Sequence, residues 1–330
     1  MYLKKILRIL QLICRFSVAL FCISLIASCF AIKQPFVRPI KTEPSFVDTT
    51  TLKKHVDYFS ITTHPRNFEN LDNLNAAADY IHQHFSDLGI EVTEQSFEAR
   101  GKTYRNISAH FGPKNQPTIV VGAHYDSCHE TPGADDNASG VAGLLELARL
   151  LKENPPNRSI ELVAYTLEEP PFFRTELMGS AVHAQSARAA NRPIKLMLAL
   201  EMIGYFKDEP DTQTYPLKIL KTGYPSTGNY IGVIGRLSEG KETRKVMALM
   251  SGATDLPVYS MNAPSSLVQG LDFSDHRNYW ANGYKALMIT DTAFFRNQNY
   301  HELTDTADTL DYQRMAKVVQ GVYAVVQNIN

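Results

Sequence analysis

Pro117-Thr118-Ile119-Val120-Val121-Gly122-Ala123 runs straight into His124-Tyr125-Asp126, and after a short gap come Gly133-Ala134-Asp135-Asp136-Asn137-Ala138-Ser139-Gly140 and the stretch Val141 to Leu151. The first run is short, apolar and β-branched, the composition of a strand buried on both faces. From Val141 the apolar residues fall at helical spacing, and Ser159 to Tyr165 returns to a strand pattern. A strand, a helix and a second strand in so short a span form the unit of a parallel sheet.

The pattern extends outward in both directions. Asn70 to Leu88 carries Leu74, Ala78, Ile81 and Phe85 on one helical face and stops at Gly89. Ile90 to Phe97, Thr103 to Phe111, Ile194 to Leu200, Tyr230 to Ile234 and Ala286 to Ile289 read as strands, and Glu239 to Met250 and Tyr312 to Val326 as helices. This alternation predicts a single α/β domain with a mixed, largely parallel central sheet flanked by helices on both faces. Pro210 to Tyr230 and Ser251 to Leu271 show no pattern and are expected to be loops that build a pocket. Ligands of such sheets collect beyond the carboxyl ends of the strands.

The N-terminus has a different character. Lys4, Lys5, Arg8 and Arg15 precede the apolar run Phe16 to Ala27, and no acidic residue comes before Glu43. That order predicts an export segment over residues 1–32. Leu25-Ile26-Ala27-Ser28-Cys29 resembles a lipobox; cleavage after Ala31 and an uncleaved anchor from Phe16 to Ile32 are the other readings. Residues 33–45, polar with three prolines, read as a tether, and 46–330 as the folded domain. The expected location is the bacterial cell envelope, periplasmic and lipid-anchored, or the exterior, with the membrane as a partner through a lipid or N-terminal anchor. Cys14, Cys22 and Cys29 lie in the export segment, so Cys128 stands alone and the domain has no internal disulfide. Lys plus Arg number 33 against 34 Asp plus Glu, a balance that argues against nucleic acid as a partner.

Five places carry candidate chemistry. His124, at a strand end, is a metal ligand or a satisfied structural residue, and Asp126 can orient its ring. Asp135 and Asp136 precede a helix; capping accounts for one of them and leaves the other unexplained. Glu168 and Glu169 leave a buried strand on opposite sides, so one can ligate a metal while the other faces a water, or both simply end a charged loop. Glu201 closes an apolar run, where a carboxylate is costly unless paired or metal-bound. His301 follows the Ala286 strand and a loop holding Asp291. His124, Asp136, Glu169, Glu201 and His301 together are an imidazole-and-carboxylate set suited to zinc, and a set without cysteine suits a catalytic site.

Ala123 to Ser127, Gly133 to Gly140, Glu168-Glu169, Met178-Gly179-Ser180, Ser274-Asp275-His276 and Tyr300-His301 stand in the order found in the M28 family of zinc peptidases, which the chain resembles from roughly His55 to its end. The resemblance implies a zinc exopeptidase that removes the first residue of peptides with a free N-terminus. It implies two zinc ions, one held by His124 and Glu201, the other by Glu169 and His301, with Asp136 between them. Glu168 would be the general base for a water activated by the metals, and Asp126 the support of His124. Glu201 departs from the family's usual Asp, which leaves the number of ions open between one and two. Glutaminyl cyclases share the fold with a single zinc and are the alternative; carboxypeptidase or dipeptidase specificity, and a non-catalytic binding protein, also fit the fold. Asp275 and His276 fall in a family block without a fixed role, and Asp305 and Asp308 are expected to orient His301 or cap the last helix. Cys128 reads as a small pocket residue or an oxidation site, and His64, His82, His84, His110, His129 and His183 are given no part in the chemistry.

Overall fold

The computed structural model describes residues 5, 10, 14–18, 20 and 31–329. Helix α1, Thr49–Asp57, is capped by Asp48, whose carboxylate accepts the Thr50 N–H and the Thr51 hydroxyl. Helix α2, Leu71–Asp87, buries Leu74, Ala78, Ile81 and Phe85, and the chain leaves it through Gly89 at φ +67. Strands β1, Val92–Ala99, and β2, Lys102–Phe111, form a hairpin across Arg100 and Gly101, both at positive φ. Then come β3, Thr118–His124, α3, Gly140–Glu153, β4, Ile160–Tyr165, α4, Gly179–Ala189, and β5, Ile194–Glu201. The chain closes with β6, Ile231–Gly235, α5, Gly240–Ala253, β7, Val258–Asn262, α6, His276–Ala281, β8, Ala286–Thr290, and α7, Tyr312–Asn328.

The strands make one sheet in the order β1-β2-β4-β3-β5-β8-β6-β7. From β4 to β8 neighbours run parallel, β2 and β6 each pair antiparallel with that block, and β7 runs parallel to β6. Alternation along the strands sorts the core. Ile119, Val121 and Ala123 face the cluster that α1, α2, α3, α5 and α7 cover. Val120, Val163, Met197 and Ala199 face α4 and α6 on the other side. The expected α/β sheet with helices on both faces is what the chain forms.

Three departures from the sequence expectation have local causes. β7 lies inside the stretch expected to be a loop, because its five residues are too few and too polar to show a period. α4 lacks a stripe of large apolar residues because it packs through Ala184 and Ala187. α6 is six residues long, below what periodicity can register.

Residues 34–47, which include most of the expected tether, have neither helix nor strand and lie along the domain. The Ile40 N–H donates to Ala248 O at 2.8 Å and Gln320 Nε2 donates to Ser45 O at 2.9 Å. Leu25 to Cys29, the lipobox-like stretch, falls outside the described residues, as does most of the apolar run before it. Among the described residues no helix is long and apolar enough to cross a membrane.

His55 on α1 supplies a stability prediction. Burial, reinforced by His84 and Lys54, pushes its imidazolium down from 6.5 to about 3. The unfolded chain therefore takes up a proton below pH 6.5 that the folded one refuses, so the stabilisation is complete above 6.5 and drains away toward 3. Between pH 6.5 and about 5, wild type should lose about 2 kcal/mol relative to His55→Gln. Urea midpoints for the two proteins that move in parallel over this range would contradict the burial argument.

Candidate metal centre

The sheet delivers its charged residues to one end. His124 closes β3, Glu168 and Glu169 follow β4, and Glu201 is the last residue of β5. Asp136 lies in the turn Ala134–Ser139 that enters α3, and His301 lies in the loop between β8 and α7 at φ +59, after the strand and the Asp291 loop as expected. Gly133 opens the Asp136 turn at φ +57, where a Cβ would stand 2.2 Å from Asp136 O. Gly140 lets α3 start against β5: a Cβ there would stand 2.6 Å from Leu200 O.

All seven predicted residues meet. His124 Nε2 lies 3.3 Å from Asp136 Oδ1 and 3.5 Å from Glu201 Oε2. His301 Nε2 lies 3.2 Å from the other Asp136 oxygen, Oδ2, and 3.3 Å from Glu169 Oε2. Asp136 thus offers one oxygen to each of two clusters. Glu168 stands slightly apart, its Oε2 3.9 Å from His124 Nε2.

These separations suit a metal. Ligand bonds of about 2.0–2.2 Å in a tetrahedron set neighbouring ligand atoms about 3.3–3.5 Å apart. His124 Nε2, His301 Nε2 and Glu169 Oε1 are buried and make no hydrogen bond, which is costly for atoms without a partner. His124 Nδ1 faces the carbonyl oxygen of Asp126 at 3.2 Å and Asp126 Oδ1 at 3.4 Å, both acceptors. Nδ1 therefore carries a proton, which leaves Nε2 as the nitrogen that would offer a lone pair to a cation in the cluster.

The electrostatics point the same way. Burial alone would push the His124 imidazolium down, but Glu201, Asp126, Asp136 and Glu168 hold it well above its ordinary value. Burial and the nearby Asp136 push Glu169 up to about 7. Glu168 is raised well above the usual carboxylate range by burial, against the pull of His124 and with the push of Glu169 and Glu201. So many acids in one buried space call for a counter-charge, of the kind a divalent cation would supply.

The adjacent acids are divided by their hydrogen bonds. Asp135 turns away from the centre to accept the Gly204 N–H at 3.0 Å and Asn297 Nδ2 at 2.9 Å. Asp126 does more than face His124: its two oxygens accept the backbone N–H groups of Glu168 and Glu169 at 3.2 and 3.0 Å. Ser274 donates its hydroxyl to Glu201 Oε2 at 2.7 Å. The Tyr300 ring stacks on the His301 ring, centroids 3.8 Å apart.

Several side residues find other work. Asp305 accepts the Asp135 and Asp136 N–H groups and so braces the turn, while Asp311 caps α7 and Asp308 is exposed. Asp275 is buried at the centre and pushed up to about 7, chiefly by burial with His124 opposing. His276 turns elsewhere, with Nε2 donating to Leu271 O. His64 and His183 are tied to Thr131 O and to the Tyr279 hydroxyl.

Two residues support the centre in ways the sequence did not assign. Arg66, fully buried, donates to the carbonyls of Tyr125, Phe59, Pro132 and Gly133, and nothing in its surroundings in the sequence marks it. Asn137 was legible as part of the Gly133 to Gly140 block. Its Oδ1 accepts the Gly140 and Met202 N–H groups and its Nδ2 donates to Leu200 O, locking the Asp136 turn to the strand end that carries Glu201. Asn137→Ala should weaken zinc binding about 10–100-fold, as loss of a support behind a ligand does. Competition against a chelating dye measures this, and wild-type affinity in the variant would show that the lock is dispensable.

With this geometry the comparisons with known proteins agree. The model of peptidase family M28 matches residues 106–326. The chain belongs to peptidase family M28. Its family is thus one of hydrolases. The uncharacterized protein YfbL of Escherichia coli K12 is 50% identical over 303 residues, covering 89% of this chain and 93% of that protein. Leucine aminopeptidase 1 of Paracoccidioides brasiliensis Pb03 is 28% identical over 233 residues, which are 66% of this M28 chain and 54% of that protein, so the match spans about half of the fungal enzyme. Among solved structures, a glutaminyl cyclase of Bacteroides thetaiotaomicron bound to N-acetylhistamine superposes with a TM-score of 0.67 at 20% identity, over 87% of this chain and 100% of that one, a likeness of fold.

Proposed function

We propose that the protein is a zinc-dependent aminopeptidase that hydrolyses the first peptide bond of substrates with a free N-terminus. The observation that carries this reading is the division of Asp136, one carboxylate oxygen toward His124 and the other toward His301. His124, Asp136 and Glu201 would hold one zinc ion, and His301, Asp136 and Glu169 a second. Zinc bound there supplies a Lewis acid for the scissile carbonyl and makes a water acidic enough to attack near neutral pH.

The chain's own residues do the rest. Glu168 takes the proton of the attacking water and returns it to the leaving amine. Its raised carboxyl suits a base that must give the proton back. Asp126 holds the His124 tautomer and fixes the backbone from which Glu168 projects.

A pocket opens beside Glu201 and Tyr300, lined by Tyr215, Tyr224, Tyr259, Phe273 and Phe294 among others. The Tyr215 hydroxyl donates to Pro225 O and the Tyr224 hydroxyl to Ser260 O, so these rings offer the pocket their apolar faces. It suits a large apolar first residue. Export to the cell envelope is part of the proposal, supported by the basic residues and apolar run that precede Ala27.

Equilibrium dialysis of the metal-stripped full chain against zinc tests the centre. Two tight equivalents per chain, both weakened in Asp136→Ala, are expected. A single equivalent indifferent to Asp136 would refute the shared-carboxylate arrangement and favour the one-zinc cyclase reading.

A further inference from the structure

Cys128 is the sole cysteine of residues 46–330, and by sequence it reads as a small pocket residue or an oxidation site. The structure puts it somewhere more specific. Cys128 is 3% exposed and forms no disulfide. Its Sγ, an oxygen of Glu169 and a ring nitrogen of His301 all lie within 4.8 Å of one another. Glu169, 4% exposed, has its Oε1 buried without a hydrogen bond, and so has His301 its Nε2. A cysteine that merely fills space would turn its sulfur into apolar surroundings; this one turns it toward two side chains with unsatisfied ligand atoms.

We propose that Cys128 supplies a thiolate ligand to the metal position formed by Glu169, His301 and Asp136. The inference rests on the metal-centre reading above and adds sulfur to what looked like a set of oxygen and nitrogen only. On binding, the Cys128 S–H bond breaks, the sulfur electron pair goes to the metal, and the proton leaves to solvent. Bonds of about 2.3 Å from sulfur and about 2.0–2.1 Å from nitrogen place such atoms roughly 3.6 Å apart around a tetrahedral ion, so ligation would draw the Cys128 sulfur inward from its place within 4.8 Å of the Glu169 oxygen and the His301 nitrogen. The two metal positions are then chemically unequal. The position at His124 and Glu201 has imidazole and carboxylates alone, whereas the position at His301 is softer and favours zinc over magnesium, calcium or manganese.

Cobalt(II) reports on sulfur ligation directly. The full chain in detergent is stripped of metal and titrated with cobalt while its absorption spectrum is recorded. Visible ligand-field bands should grow together with a near-ultraviolet thiolate-to-cobalt charge-transfer band. In Cys128→Ser the charge-transfer absorption due to Cys128 should be lost, seen as a difference from wild type, and the ligand-field bands remain. Cys14, Cys22 and Cys29 are common to both proteins, so any band they contribute survives in the variant. Should the variant fold poorly, alkylation of Cys128 in wild type, followed by peptide mass mapping, gives a second reading: zinc should slow it. Ligand-field bands without the charge-transfer band, or alkylation indifferent to zinc, would overturn the thiolate ligand and leave the metal centre standing. Absence of all cobalt bands would overturn both.

Discussion

Glu168→Gln should bind zinc as wild type does and lose turnover by ~10²–10⁴-fold, the usual contribution of a positioned proton carrier. The substitution keeps the size of the side chain and removes its capacity to accept the proton. Glu168 is not among the groups closest to the two histidines: its nearest oxygen is 3.9 Å from His124 Nε2, against 3.2–3.5 Å for Asp136, Glu169 and Glu201. Its backbone is held by Asp126 independently of the side chain. Zinc content and kcat on a leucine-starting peptide, measured on the same preparation, separate the two roles. A variant with full zinc and a near-normal rate would remove Glu168 from the mechanism; one that loses zinc along with activity would make it a ligand.

Arg66→Met should cost about 4 kcal/mol or more, since the four carbonyl groups that share the guanidinium would each lose a buried partner worth about 1–3 kcal/mol. That loss is comparable with the whole stability of a typical domain. Burial pulls the Arg66 pKa down to about 10 while Asp305, Asp126, Asp136 and Glu169 draw it up, so the cation sits in the field of the acids around the centre. Two of its four acceptors, Pro132 O and Gly133 O, belong to the approach to the Asp136 turn, and a third, Tyr125 O, adjoins Asp126. Arg66→Lys should be nearly as harmful, because one ammonium cannot reproduce the fork that reaches both sides. Urea unfolding measures the loss. A midpoint in Arg66→Met within about 1 kcal/mol of wild type would mean that water replaces the guanidinium easily.

What the sequence disclosed follows from how far each signal reaches along the chain. Runs such as Ile119 to Ala123 are buried on both faces and therefore continuously apolar, which made the sheet legible. The side chains of the centre were legible because each lies at or just after an element whose pattern is strong, and because their blocks carry the family resemblance. Arg66 was invisible because its partners are carbonyl groups more than fifty residues away for the most part, and a carbonyl has no letter in the sequence. Asp305 was misjudged for a related reason: its contacts are with the backbone of Asp135 and Asp136 across the fold, whereas helix capping is the work of the nearby Asp311. Cys128 was legible as a residue, but its neighbours Glu169 and His301 come from two distant loops that only the folded chain brings together.

The aminopeptidase reading meets its most direct test in one incubation. The zinc-loaded full chain is mixed with three short peptides that begin with leucine, glutamine and an acetylated residue, and their masses are followed with time, with and without a chelator. The account predicts release of the first amino acid from the two peptides with free amines, leucine faster, with the acetylated peptide intact and every reaction stopped by the chelator. Loss of ammonia from the glutamine peptide, with its peptide bonds and those of the leucine peptide untouched, would contradict it and identify a cyclase.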